Sequence, residues 1–348
     1  DDAGGLAVVP ARYGPDYEVS ELRLGVRDWV AAYALPPGQR MMVAAFPGRP
    51  FDWERSFHCH FVTTYGSMGR GTGNAYGEMP PEGVIASWAQ TFDIVFLSFE
   101  GLYERKRPGS QYPHPGGPYT VANPAEFRRF VSTARRYGMK VTPYTSPYNC
   151  ITQPQDLESY LAQVAALQRD FQIGGVYVDG LLTDTTHRRG VDDKLGSWEI
   201  VRRLREMFGA DGVILLHGTA IGNPVGVLPN TDTYCDVVLC GEGVESHAVD
   251  EPYVRYRVRK YGISNTVGMW CCKIEGISWP ERLRATLAMN CRMRWGSYVP
   301  MREPPPNNRY TWNTKLDWWY VQYRRALREV EERYHATVRS PPSGRPGP

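Results

Sequence analysis

The sequence predicts an α/β protein built as a (β/α)8 TIM barrel, led by a short β-rich N-terminal segment. Three observations carry that prediction. Eight short apolar runs recur between residues 57 and 301, and longer segments of helical period separate most of them. The runs are rich in Val, Ile and Leu, as expected of strands covered on both faces. The span 57–335 suits a barrel of this kind, typically about 250 residues. An open doubly wound sheet is the alternative, but no glycine fingerprint follows the first run.

The elements follow in order. Residues 1–56 fit neither helix nor barrel repeat. Stretches 18–30 and 39–47 alternate like strands around Leu35-Pro36-Pro37-Gly38, and they read as the last strands of a β-rich domain. The barrel strands are expected in 57–66, 92–101, 139–147, 174–180, 212–218, 235–243, 264–270 and 296–301. Helices are expected over 81–91, 123–138, 153–171, 194–209, 250–262, 279–296 and 315–334. The helix at 123–138 opens with Asn123 as cap and Pro124 in its first turn, and ends on Gly138. Residues 157, 160, 161, 164 and 167 form a helical stripe in the next. The link from Gly218 to Cys235 carries Pro224 and Pro229 and shows no clear helix. Residues 336–348 form a Pro/Gly-rich tail. The predicted organisation is therefore a β-rich segment over 1–56, a catalytic barrel over 57–335 and that tail.

Composition narrows the classes. The 348-residue chain is 42% hydrophobic and 22% charged, ordinary for a globular protein. The formal net charge of +3 is spread along the chain, which argues against a nucleic-acid face. No run reaches the roughly 18 apolar residues of a membrane span. The 7 Cys include the vicinal pair Cys271-Cys272 but show no metal spacing, and a disulfide framework is not supported. His58 and His60 alternate and are expected on one face. No third ligand stands at useful spacing, so they read as structural and no metal site is expected. The loop holding His114 is a candidate wall or lid.

A barrel carries its chemistry at the C-terminal ends of its strands. There the sequence places Glu100, Tyr144, Tyr148, Asp179, His217, Glu242, Trp270 and Arg302. Aromatic rings stack on the apolar face of a pyranose, while acids and Arg bind hydroxyls, so this rim suits a sugar. Asp179 ends a buried strand, and Gly180 follows where the chain must turn. Glu242 stands two strands further round. Two carboxylates can cleave a glycosidic bond, one as nucleophile or base and one protonating the leaving oxygen. A separation of about 5–5.5 Å gives retention and about 6.5–9.5 Å inversion. Structural readings remain beside these. Asp179 could cap a loop, Glu242 could stabilise its glycine-rich turn, and Glu100 could pair with Arg105 or Arg107. His217 could bond a sugar hydroxyl or Asp179, or sit as a satisfied core histidine.

These residues resemble the retaining (β/α)8 clan of α-galactosidases and family 31 α-glucosidases. In that clan an Asp ending strand four is the nucleophile and an acid ending strand six is the acid/base. The resemblance implies these roles for Asp179 and Glu242, with Tyr177 as the aromatic two residues before the nucleophile. The chain departs from the clan in its Gly180-Leu181-Leu182 after Asp179 and in Glu rather than Asp on strand six. It is also similar to family 123-like barrel proteins, whose substrate-assisted mechanism needs a second acid where Gly180 stands.

The expected function is a retaining glycosidase acting on an oligosaccharide or glycoside, without cofactor. Asp179 is its nucleophile and Glu242 its acid/base, with Glu100, Tyr144, Tyr148, His217, Trp270 and Arg302 in the sugar pocket. The expected setting is extracellular or periplasmic, with no nucleic-acid or membrane partner. Two alternatives stand: a barrel that binds carbohydrate without cleaving it, and a lyase or isomerase using His217 and Glu242 for proton transfer.

Overall fold

The structure is a computed structural model, describing residues 5–10, 18–24, 29–34, 41–46, 58–64, 77–99, 101–104, 117–151, 156–181, 193–217, 229–240, 267–270, 284, 287, 292–293 and 323–333. Four strands come first: β1 (Gly5–Pro10), β2 (Glu18–Leu24), β3 (Trp29–Ala34) and β4 (Met41–Phe46). They make two antiparallel pairs, β1 with β4 and β2 with β3. Alternation in the sequence points to the stretches holding β2 and β4 and to the first two residues of β3, but not to the rest of β3 or to β1.

Eight further strands form one sheet in chain order: β5 (Phe61–Thr64), β6 (Ile94–Leu97), β7 (Lys140–Thr145), β8 (Gly175–Val178), β9 (Val213–His217), β10 (Val237–Cys240), β11 (Val267–Trp270) and β12 (Arg292–Met293). Every described ladder in it is parallel. Consecutive parallel neighbours need crossovers. These contain α1 (Glu82–Ala89), α2 (Pro124–Arg136), α3 (Pro147–Cys150), α4 (Asp156–Phe171), α5 (Asp193–Phe208) and the one-turn α6 (Pro229–Asp232). A final helix, α7, runs over 323–333. Among the described residues no helix is long and apolar enough to cross a membrane.

The sheet is curled, because side chains from distant strands meet inside it. Phe61, Phe96, Tyr144, Tyr177, Leu215 and Val237 share one buried cluster although they come from six successive strands. Phe96 stacks on Tyr177 at 4.1 Å across the intervening β7, which a flat sheet would not permit. The alternate residues Val141, Val176, Val178, Ile214 and Leu216 face the other way into a larger core with the helices. That double burial is why these strands read as continuous apolar runs.

Local chemistry sets the crossovers. Asn123 Oδ1 accepts the Glu126 amide hydrogen at 3.3 Å and starts α2, with Pro124 in the first turn. Phe127, Phe130, Val131 and Ala134 form its buried stripe. Each large apolar side chain there contributes about 1.5–3 kcal/mol. Gly175 opens β8 where a Cβ would lie 2.0 Å from the Val213 carbonyl oxygen, so only glycine lets β8 and β9 approach.

Two expectations are corrected here. The eighth strand lies at Arg292–Met293, inside the segment read as a helix over 279–296, while 296–301 falls outside the described residues. Residues 284 and 287 are helical, so the helical period ends before Arg292. Pairing with Met269 and Trp270 on β11 overrides local period. Arg292 is buried, whereas a helical reading sets such a charge on a solvent face. The second correction concerns His58 and His60, which do not share a face: the His58 side chain is 75% exposed and His60 is 1% exposed. Both precede β5, so the two-residue strand alternation does not reach them.

His60 shares a 2.6 Å hydrogen bond with the Tyr323 hydroxyl of α7. Burial, then the charges of Arg292 and His58, hold its imidazole well below the ordinary histidine range. Asp93 also lies in this group, through a 3.4 Å contact with His58. A consequence follows for stability. The unfolded chain protonates His60 near pH 6.5 while the folded chain keeps it neutral, so stability falls as pH drops below about 6.5. The slope for one proton is about 1.4 kcal/mol per pH unit. Urea midpoints at pH 7.5 and 5.5 should separate in the native protein and converge in His60→Asn; equal separation in both would refute the assignment.

Candidate active site

The described candidate site is built by three neighbouring strands. Residue Val178 of β8 pairs with Leu216 of β9, so Asp179 and His217 stand side by side one step further along. Tyr177 and Leu215, two residues earlier, point into the interior cluster. Strand alternation turns Asp179 and His217 the same way. Tyr144 lies opposite Tyr177 and reaches upward one layer.

The three side chains meet. The Tyr144 hydroxyl donates to Asp179 Oδ2 at 2.5 Å, and His217 Nδ1 lies 2.6 Å from Asp179 Oδ1. Both carboxylate oxygens are thus engaged, which locks χ1 and χ2 of Asp179. The Asp179 side chain is 26% exposed and that of His217 10%, so the carboxylate borders the open end of the sheet. Because Nδ1 faces Asp179, the Nε2 of His217 is the nitrogen directed elsewhere.

The backbone of Asp179 is held as firmly. Its amide donates to the Thr145 carbonyl at 2.8 Å, and Ser146 Oγ donates to the Asp179 carbonyl at 3.2 Å. Gly180 then takes φ +68°, a left-handed turn that a side chain would strain, and the chain leaves the sheet there. Below the carboxylate lies an aromatic floor. Tyr144 and Tyr177 stack at 5.8 Å, and Phe99 leans on Tyr144 at 4.8 Å.

Of the residues expected at the site, Asp179, His217 and Tyr144 come together. Tyr144 spends its hydroxyl on Asp179, and His217 takes the Asp179 contact among the roles open to it. Trp270 closes β11 and Tyr148 lies in α3, with their side chains outside the described residues. Glu100, Glu242, Arg302 and His114 also lie outside them. Ser146 and Phe99 were not anticipated as part of the site. Period-two alternation would have put Tyr144, Tyr177, Asp179 and His217 on one face, but Ser146 and Phe99 follow their strands, where no period applies. Among the described residues no group of His, Cys, Asp or Glu is arranged to hold a metal ion.

An ionised carboxylate with fixed geometry at a barrel mouth can act as a nucleophile. It can also orient an imidazole so that Nε2 works as a base. No protein-family model matches the sequence, and no curated protein matches it. Among solved structures the chain is similar to an α-amylase from Geobacillus thermoleovorans complexed with acarbose, at 10% identity over 78% of this chain and 79% of that one, TM-score 0.46. It is similar to a GH18 chitinase from Pseudoalteromonas aurantia at 10% identity over 77% and 99%, TM-score 0.46. An Anoxybacillus α-amylase gives 10% identity over 78% and 79%, TM-score 0.49. The likeness to these amylases and chitinases is distant, and at this identity no residue role passes from them to this chain.

Proposed function

We propose that this protein is a glycoside hydrolase with Asp179 as nucleophile. The observation that carries the reading is the double engagement of the Asp179 carboxylate by Tyr144 and His217 at the end of the fourth sheet strand. Contacts to both oxygens aim the carboxylate along one line of approach. The attack would form a covalent glycosyl-enzyme, which water then hydrolyses with retention. Glu242 is the proposed acid/base, protonating the leaving oxygen and then activating the water. Glu100, Tyr148, Trp270 and Arg302 are proposed to line the sugar pocket, and Phe99 with Tyr144 supplies an apolar floor for a pyranose face. The proposed substrate is an oligosaccharide or glycoside.

The test is chemical rescue on aryl glycosides of both anomeric series. Asp179→Gly should be inactive in buffer and should regain turnover with azide, releasing a glycosyl azide of inverted configuration. Glu242→Gly with azide should instead give the retained azide. A native product of inverted configuration, or no rescue in Asp179→Gly, would overturn the nucleophile assignment.

A second reading has its own support in the 2.6 Å Asp179–His217 contact, which is also the geometry of a carboxylate orienting a base. A lyase of that design releases an unsaturated product absorbing in the ultraviolet, which hydrolysis does not. His217→Gln separates the two. The lyase would lose about 10²–10⁴-fold, the usual contribution of a general base. The hydrolase would keep its nucleophile and a substantial share of its rate.

A further inference from the structure

We propose that Tyr103 and Tyr119, carried on the long excursion between β6 and α2, are positioning residues for Asp179. The proposal rests on the reading of Asp179 as the reacting carboxylate. It begins with a gap in the sheet. Strand β7 pairs with β6 only as far as Pro143 opposite Leu97, whereas Tyr144 and Thr145 pair with β8 alone. The end of β7 therefore runs past its neighbour, and it is this end that grips Asp179. Tyr144 takes its side chain, while Thr145 and Ser146 take its backbone.

Side chains from the excursion replace the missing strand. The Tyr103 hydroxyl donates to the Tyr144 carbonyl at 2.7 Å. The Tyr119 hydroxyl accepts the Ser146 amide hydrogen at 2.7 Å. Both tyrosines are buried, their rings 5.1 Å apart. Burial, with neighbouring Tyr160 second, pushes both phenols far above the ordinary range, so they stay protonated.

The excursion is itself braced. Tyr103 and Val121 form an antiparallel bridge, flanked by bonds from the Glu104 amide to the Thr120 carbonyl at 2.8 Å and from the Ala122 amide to the Leu102 carbonyl at 2.9 Å. The Tyr119 amide donates to Gln163 Oε1 of α4 at 3.0 Å. From that helix Tyr160 shares a 3.0 Å bond with Thr145 Oγ1, which donates to the Tyr177 carbonyl at 2.9 Å. A chain of hydrogen bonds thus runs from the excursion through residues 144–146 to Asp179. Phe at 103 or 119 would keep the ring packing and delete one link. Small misplacements at a reacting centre are costly, since a shift near 1 Å removes up to about 10²-fold in rate.

The experiment uses Tyr103→Phe, Tyr119→Phe and the surface control Tyr137→Phe in the full chain. One readout needs no substrate: the ¹H and ¹⁵N resonances of the His217 ring, which report its 2.6 Å contact with Asp179. The other is glycoside turnover, alone and combined with Tyr144→Phe. Each site variant should shift the His217 signals and lower kcat about tenfold with KM within about twofold, and Tyr103→Phe, which acts through Tyr144, should add little once Tyr144 is Phe. Tyr137→Phe should change neither. Unmoved His217 signals, or a Tyr103→Phe loss that multiplies with Tyr144→Phe, would overturn the positioning role even if thermal stability drops. Shifted signals in a protein that cleaves no glycoside would uphold the positioning role and reject the hydrolase reading.

Discussion

Asp179→Asn should abolish glycoside cleavage while leaving sugar binding and folding intact. Asn matches Asp in shape. Its amide oxygen can accept from one partner, and its NH₂ can donate to the other, because both the Tyr144 hydroxyl and a neutral His217 Nδ1 can accept. The local structure therefore has a way to persist, and what disappears is the negative charge that the proposed mechanism directs at the anomeric carbon. Loss of a covalent nucleophile costs on the order of 10⁴-fold or more. The measurement is steady-state turnover alongside calorimetric binding of the same sugar. Binding retained with turnover lost is the expected result. Turnover within tenfold of the native rate would remove Asp179 from the reaction.

The largest expected loss of stability comes from Arg205→Met. Arg205 of α5 meets Asp236 at 2.5 Å, and Asp236 Oδ2 also accepts the Ile214 amide hydrogen at 2.8 Å. The Asp236 side chain is only 2% exposed. Arg205 also donates to the carbonyls of Tyr234, Gly209 and Gly212. One guanidinium therefore ties the end of α5 to the starts of β9 and β10. Removing one partner of a buried ion pair typically costs about 3–5 kcal/mol, because the other charge stays behind in low dielectric. Denaturant melts should show a loss in that range for Arg205→Met. The double variant Arg205→Met/Asp236→Leu should recover much of it, since both charges then leave together. A single-variant loss below about 1 kcal/mol would show that the pair is solvated in effect.

Much of the fold is legible in the chain because burial on two faces imposes a composition. Strands such as Ile94–Leu97 must be apolar along their whole length, and helices such as Pro124–Arg136 must show one stripe. Capping chemistry at Asn123 is equally local. The eighth strand is not legible for the converse reason: a two-residue ladder at Arg292–Met293 leaves no period to read, and only β11 beside it makes it a strand. His58 and His60 lie on different sides because they precede the strand that would alternate them.

The site divides the same way. That Asp179 ends a buried strand and precedes a turning glycine is a local fact, written in the order Gly175 to Gly180. What Asp179 touches is not local. Tyr144 lies 35 residues before it and His217 38 residues after it, and both distances vanish only through the parallel register of β7, β8 and β9. The tyrosines that hold the end of β7 stand outside the named strands and helices, where no period marks them. The chain by itself determined the alternation of strand and helix, because that pattern follows from which side chains shun water. The tertiary structure alone decided which polar groups meet, because hydrogen bonds need partners within about 3 Å and only the curl and register of the sheet bring them there.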